Sequence, residues 1–117
     1  MARPLAFVVE DDPQLSQIFM LTLSELFDTE AITDGAQALT RLSESTPHLI
    51  VLDINLPGAS GAQILSVIRS DPRFNLTRVI LATADDRQAD ELRDKADIVL
   101  LKPVSIKQLR DLAERMK

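Results

Sequence analysis

Four short apolar runs in this chain each end in a charged residue or a hydroxyl. Leu5-Ala6-Phe7-Val8-Val9 runs into Glu10-Asp11-Asp12, and Leu49-Ile50-Val51-Leu52 runs into Asp53. Val79-Ile80-Leu81-Ala82 ends at Thr83, and Ile98-Val99-Leu100-Leu101 ends at Lys102-Pro103. Continuous apolar runs of this length read as strands buried on both faces, which is how parallel sheets are written in sequence. Helix-period segments lie between them, so the chain reads as βα units around a parallel sheet. In such a sheet the carboxyl ends of the strands share one side, and ligands bind there. A carboxylate cluster repels itself and calls for a cation. With a hydroxyl and an ammonium at the same end, the site suits Mg2+ and a phosphoryl group.

The rest of the chain supports that rhythm. Asp12 is placed to cap a first helix that starts at Pro13, where a missing N–H costs nothing. This helix is expected to reach about Phe27, with Leu15, Ile18, Thr22 and Leu26 on its inner face. Thr29 to Ile32 reads as a short polar edge strand. Asp34 caps a second helix with Ala38, Leu39 and Leu42 inside, stopped by Pro47. The loop 56–61 is marked by Pro57, Gly58 and Gly61. A third helix follows over 61–70 with Ile64, Leu65, Val67 and Ile68, closed by Asp71-Pro72. A fourth, over about 86–96, offers only Ala89, Leu92 and Ala96 to a core, so it is expected to be the least firmly held. Ser105 caps a last helix through Met116, with Ile106, Leu109 and Leu112 facing in. The fold class is therefore α/β, five βα units with helices on both faces of a doubly wound sheet.

At 117 residues the chain reads as one domain over 1–117. Its net charge of −5 argues against direct nucleic-acid binding and against an anionic membrane surface. Without cysteine there is no disulfide framework and no thiolate chemistry. The stretch from Arg3 to Val9 is too short for a signal peptide or a membrane span, so a cytoplasmic location without membrane insertion is expected.

Each motif has an ordinary reading when taken alone. Acids before a helix act as caps and favour its dipole. Threonine is common in strands, and Lys-Pro often closes one. Asp53 resists that treatment, because ionising it at the end of an all-apolar strand costs desolvation unless something compensates. The joint pattern resembles the receiver domain of two-component response regulators. The resemblance covers essentially the whole chain. It is carried by Val9-Glu10-Asp11-Asp12-Pro13, Asp34-Gly35 with Ala38-Leu39, Leu52-Asp53-Ile54-Asn55-Leu56-Pro57-Gly58, Gly61, Ala82-Thr83-Ala84 and Lys102-Pro103.

The resemblance implies a flavodoxin-like sheet order 2-1-3-4-5. It implies Asp53 as phospho-acceptor, with Mg2+ held by Glu10, Asp11, Asp53 and the backbone carbonyl of Asn55. Asp11 would be a direct ligand, and Glu10 would act mainly through a bound water. Lys102, the Thr83 hydroxyl and the backbone N–H of Ala84 would hold phosphoryl oxygens. The phosphoryl donor would be a sensor histidine kinase or a histidine phosphotransfer protein. The receiver, a monomer or weak dimer, would then act on an output domain or a downstream protein. It would assist its own phosphorylation and dephosphorylation, without being a turnover enzyme.

Several positions depart from the family pattern. Val99 stands where an aromatic often switches, Val104 follows Lys102-Pro103 where an aromatic is common, and Lys95 stands where glycine is frequent. The fifth strand also lacks the acidic and aromatic pair of receivers that dimerise on DNA-binding regulators, which leans away from that group. Two rival readings compete. A phosphohydrolase with an aspartyl-phosphate intermediate usually needs a second acid two residues after the nucleophile, and that position is Asn55. A scaffold without phosphoryl chemistry would not need Asp11, Asp53, Thr83 and Lys102 together. His48 lies at the opposite end of the sheet from the acids and reads as structural. The apolar excess on the first helix, with Phe19, Met20, Leu23 and Phe27, reads mostly as core, with part left for a docking face.

Overall fold

The structure, a computed structural model, describes residues 3–117. Met1 and Ala2, the first positions of the expected single domain, lie outside the described residues. The chain alternates strand and helix throughout: β1 (Leu5–Val9), α1 (Pro13–Leu23), β2 (Asp28–Ile32), α2 (Gly35–Glu44), β3 (Leu49–Asp53) and α3 (Gly61–Ser70). It continues with β4 (Arg78–Thr83), α4 (Asp86–Leu92), β5 (Ile98–Leu101) and α5 (Ile106–Arg115). Short 3-10 turns occupy Pro72–Phe74 and Arg93–Lys95. The strands form one parallel sheet in the order β2-β1-β3-β4-β5, as the resemblance implied. The order jumps across β1 and β3, so the topological switch point lies between them.

Two cores sandwich the sheet. Phe7, Val9, Ile50, Leu52, Val79 and Leu81 point to the side covered by α2, α3 and α4. Ala6, Val8, Leu49, Val51, Ile80 and Leu100 point to the side covered by α1 and α5. Burial on both faces explains why β3 is apolar up to its last residue and why that residue, Asp53, is the exception.

The helix caps are the ones the sequence specifies. Asp12 accepts from the N–H groups of Gln14 and Leu15, Asp34 from Gln37, and Ser105 from Gln108. Ser60 and Gln63 form a reciprocal capping box at α3.

Three details differ from the sequence expectation. First, α1 stops at Leu23, and the chain turns so that Leu26 and Phe27 reach the core from outside the helix. The buried positions of α1 are Ser16, Phe19 and Leu23, while Ile18 is 42% exposed. Apolar residues nearly surround this helix, so period alone does not fix its phase, and the bulkiest side chain, Phe19, takes the inside. Second, α5 buries Leu109 and Ala113 and leaves Ile106 at the surface. Val67 of α3 is likewise exposed. Third, α4 is an α-helix only to Leu92, and the 3-10 turn that follows has no side-chain cap. Ala89 is its one buried residue, in keeping with the thin stripe.

Candidate functional site

The four strand ends converge because the strands are in register. Val9 pairs with Leu52, Asp53 with Ala82, and Thr83 with Leu101. The next residues are locked by ladder extensions: Glu10 N–H donates to Ile32 O at 3.0 Å, and Lys102 N–H to Thr83 O at 2.8 Å. Glu10, Asp53 and Lys102 therefore meet in one cleft from the ends of β1, β3 and β5, with Thr83 at the end of the intervening β4. Glu10 is 2% exposed, Asp53 6% and Thr83 fully buried.

Lys102 ties the acids together. Its Nζ donates to Glu10 Oε1 at 2.8 Å and to Asp53 Oδ2 at 3.4 Å. Burial works against the ammonium charge, but the hydrogen bond to Glu10 and the charge of Asp53 outweigh it, so the Lys102 pKa is raised. Glu10 is pushed above its ordinary value, first by burial, with the Lys102 hydrogen bond opposing. Asp11, exposed on the following residue, completes the cluster. Carboxylate oxygens of Glu10, Asp11 and Asp53 all lie within 4.8 Å of one another. Three carboxyl groups thus face one ammonium, and all offer hard oxygen donors. That donor set fits Mg2+, which takes few protein carboxylates and keeps waters and phosphate oxygens for its other positions.

The loop after Asp53 is shaped by close approach. Asn55 N–H donates to Asp53 Oδ1 at 3.2 Å and fixes the carboxylate rotamer. A Cβ on Gly61 would lie 2.5 Å from Asp53 O and from Ile54 Cα, so only glycine lets α3 begin against the backbone of the strand end. Gly58 has φ of +79°, a left-handed conformation that favours glycine. Gly61 N–H then closes the turn on Ile54 O at 2.8 Å.

On the other side, Thr83 Oγ1 accepts from the Asp85 N–H at 3.1 Å. Asp85 Oδ1 in turn accepts from the N–H groups of Arg87 and Gln88 and caps α4. Ala84 lies exposed between them. Sequence reading did not reveal this relay, because its links are local turn hydrogen bonds. Nor did it reveal that Lys102 bridges both acids, which depends on strand register. Val99 pairs with Leu81 and is half-buried against the same core as Leu92 and Ala96. Asp12 caps α1 and is not among the three clustered acids. His48 lies at the far end of the sheet, where its Nε2 is 2.6 Å from Met116 O.

Residues 6–114 match the family model described as the response regulator receiver domain. The DNA-binding response regulator MtrA of Mycolicibacterium smegmatis is 37% identical over 108 residues, which cover 92% of this chain and 47% of that protein. The phosphate regulon transcriptional regulatory protein PhoB of Rhizobium meliloti is 34% identical, covering 91% of this chain and 48% of that protein. The chain thus spans about half the length of these curated relatives. The first is a DNA-binding response regulator and the second a transcriptional regulatory protein, so relatives of this chain include DNA-binding regulators, the group that the fifth strand leans away from. Among solved structures, the BeF3-activated DrrB receiver domain superposes with a TM-score of 0.87 at 27% identity, covering 97% of each chain.

Proposed function

This chain belongs to the response regulator receiver domain family of two-component systems, and on that premise we propose that it accepts a phosphoryl group on Asp53 in a Mg2+-dependent reaction. The observation that carries the reading is the bridge from Lys102 to Asp53 and Glu10 inside a cluster of three carboxyl groups at the switch point of the sheet.

An Asp53 carboxylate oxygen attacks phosphorus and forms an acyl phosphate as the bond from phosphorus to the donor breaks. The donor is the phosphohistidine of a sensor kinase or phosphotransfer protein, whose imidazole leaves and takes up a proton. When bound by Glu10, Asp11, Asp53 and the Asn55 carbonyl, Mg2+ supplies charge neutralisation for the phosphoryl oxygens. Lys102 turns its ammonium from the carboxylates to a phosphoryl oxygen. The Thr83 hydroxyl and the Ala84 N–H donate to others. Asn55 holds the carboxylate oriented through its N–H. Water attack on the same phosphorus later returns Asp53 and ends the signal.

Switching runs through the loop after β4. When the Thr83 hydroxyl turns to the phosphoryl group, Asp85 N–H loses its acceptor, and the cap of the thinly packed α4 shifts with it. Val99 offers no aromatic ring for the alternative route. A downstream protein or an output domain reads the change, in the cytoplasm. The test is intact mass after incubation with Mg2+ and acetyl phosphate, alongside Asp53→Asn and an EDTA sample. One added phosphoryl group, absent from both controls, is expected. Labelling that survives in Asp53→Asn refutes the assignment.

A further inference from the structure

At the opposite end of the sheet from Asp53 lies a cavity of about 520 Å3, formed where β3, β4 and β5 begin and α3 and α5 end. Five Lys and Arg residues line it against two acids, in a chain whose net charge is −5. One of those acids, Asp97, has its charge taken up. Its Oδ2 accepts from Val79 N–H at 2.7 Å and from Arg69 at 3.1 Å, and its Oδ1 from Arg78 at 3.3 Å. Arg69 also braces Lys95 O and Thr77 O. Two cations are therefore structural.

The other three are not. Elsewhere on the surface, cations find acids: Arg41 pairs with Glu30, Arg73 with Asp71, Arg93 with Asp90, Lys107 with Asp111 and Arg110 with Glu25. Among the described residues, four cations have neither an acid nor a carbonyl partner, and three of them, Lys95, Arg115 and Lys117, surround this cavity. The fourth, Arg87, is in α4. Helix dipoles account for the cations at the end of α5, Arg115 and Lys117, but not for Lys95, which reaches the same cavity from the turn before β5. Asp94 is the one acidic side chain of the lining left to oppose them.

The floor of the cavity is built before any ligand arrives. His48 N–H donates to Leu5 O at 2.8 Å, and Arg78 N–H to His48 O at 3.0 Å. Thr77 Oγ1 donates to Pro47 O at 2.7 Å, and the His48 ring meets Met116 O. The volume is that of a small-molecule site. Its lining has no aromatic ring except His48, which offers little to a nucleobase, and the Asn75 amide adds a neutral donor.

We infer that this cavity binds a small anion with two or more linked phosphates, with Lys95, Arg115 and Lys117 as its charge-bearing contacts. Guanidinium and ammonium side chains lining one concave space suit phosphate oxygens, and an arginine such as Arg115 can meet one in bidentate fashion. The inference stands apart from Asp53 chemistry.

The test is a titration of the 15N-labelled chain in EDTA with inorganic pyrophosphate, read by amide chemical shifts. Wild type, Asp53→Asn and the exposed-surface double variant Lys95→Gln/Arg115→Gln are compared, with an oligoglutamate peptide as a second probe. Saturable shifts confined to the segments 75–78, 94–97 and 115–117 are expected, unchanged in Asp53→Asn. Affinity should fall about tenfold or more in the double variant, whose remaining spectrum reports an intact fold. Equal affinity in the double variant, shifts spread over Lys107 and Arg110, or no saturation would overturn the inference. Tighter binding of the peptide than of pyrophosphate would also overturn it, in favour of an acidic protein partner.

Discussion

Lys102 supplies the positive charge within the carboxylate cluster, so substitutions there expose the site's electrostatics. Replacing it with Gln removes the partner of two nearly buried acids. Breaking such a pair costs on the order of 3 kcal/mol, because the remaining charges are left uncompensated. Mg2+ can substitute for the lost ammonium, so saturating Mg2+ should raise the melting midpoint of Lys102→Gln more than that of the wild type. Equal shifts in the two proteins would show that Lys102 does not compensate the acids. Glu10 makes the complementary case. Burial first, with Lys102 opposing, leaves its pKa above the ordinary 4.5. A raised carboxyl pKa means that ionisation costs stability as pH rises through the folded value, and that the cost disappears below the unfolded value. In EDTA, Glu10→Gln should therefore melt higher than the wild type at pH 7, and the difference should close as pH falls below 4.5. A gap that widened in acid would contradict this.

Among the elements, α4 carries the weakest claim to stability and the strongest to regulation. It has seven residues, one of them buried, and its N-terminus is held by the Asp85 side chain. Asp85→Ala removes a cap worth about 1 kcal/mol. The loss should appear as faster amide exchange in residues 86–95, with β1 and β3 unchanged. Exchange that accelerates across the whole sheet would mean that α4 opens only in global unfolding. The elements also show where sequence was legible. The strands were, because an apolar run of four or five residues flanked by polar ones admits few other readings. Caps were, because Asp12, Asp34 and Ser105 act on the next three residues alone. Helix phase was not: in α1, Leu15 and Ile18 compete with Phe19 and Leu23 for the interior, and only packing against Ala6, Val8 and Leu100 decides it. The turn at Pro72–Phe74 was missed because its one strong signal is the buried Phe74, whose partners lie elsewhere in the chain.

For the whole molecule, sheet order is the least local property, and it came from resemblance rather than from any residue. The carboxylate site was legible because the ends of parallel strands share a side. The basic cavity was not, because it gathers residues from separate segments that no spacing relates. The two ends differ in a way that bears on global stability. The acid end has its donors fixed by ladder and turn hydrogen bonds, so a cation should find a prebuilt site. Binding to the native state alone adds RT ln(1 + [L]/Kd), about 2.7 kcal/mol at a hundredfold excess over Kd. The chain lacks Trp and Tyr, so far-UV circular dichroism is the natural probe of urea unfolding. Mg2+ at that excess should raise the unfolding free energy by about that amount and leave the denaturant slope unchanged, since slope follows the surface exposed. Asp11→Ala should lose most of the gain, because it removes the one exposed carboxylate of the cluster without disturbing the buried pair. A slope that rises with Mg2+ would instead mean that the cation orders additional chain, and that the site is assembled on binding.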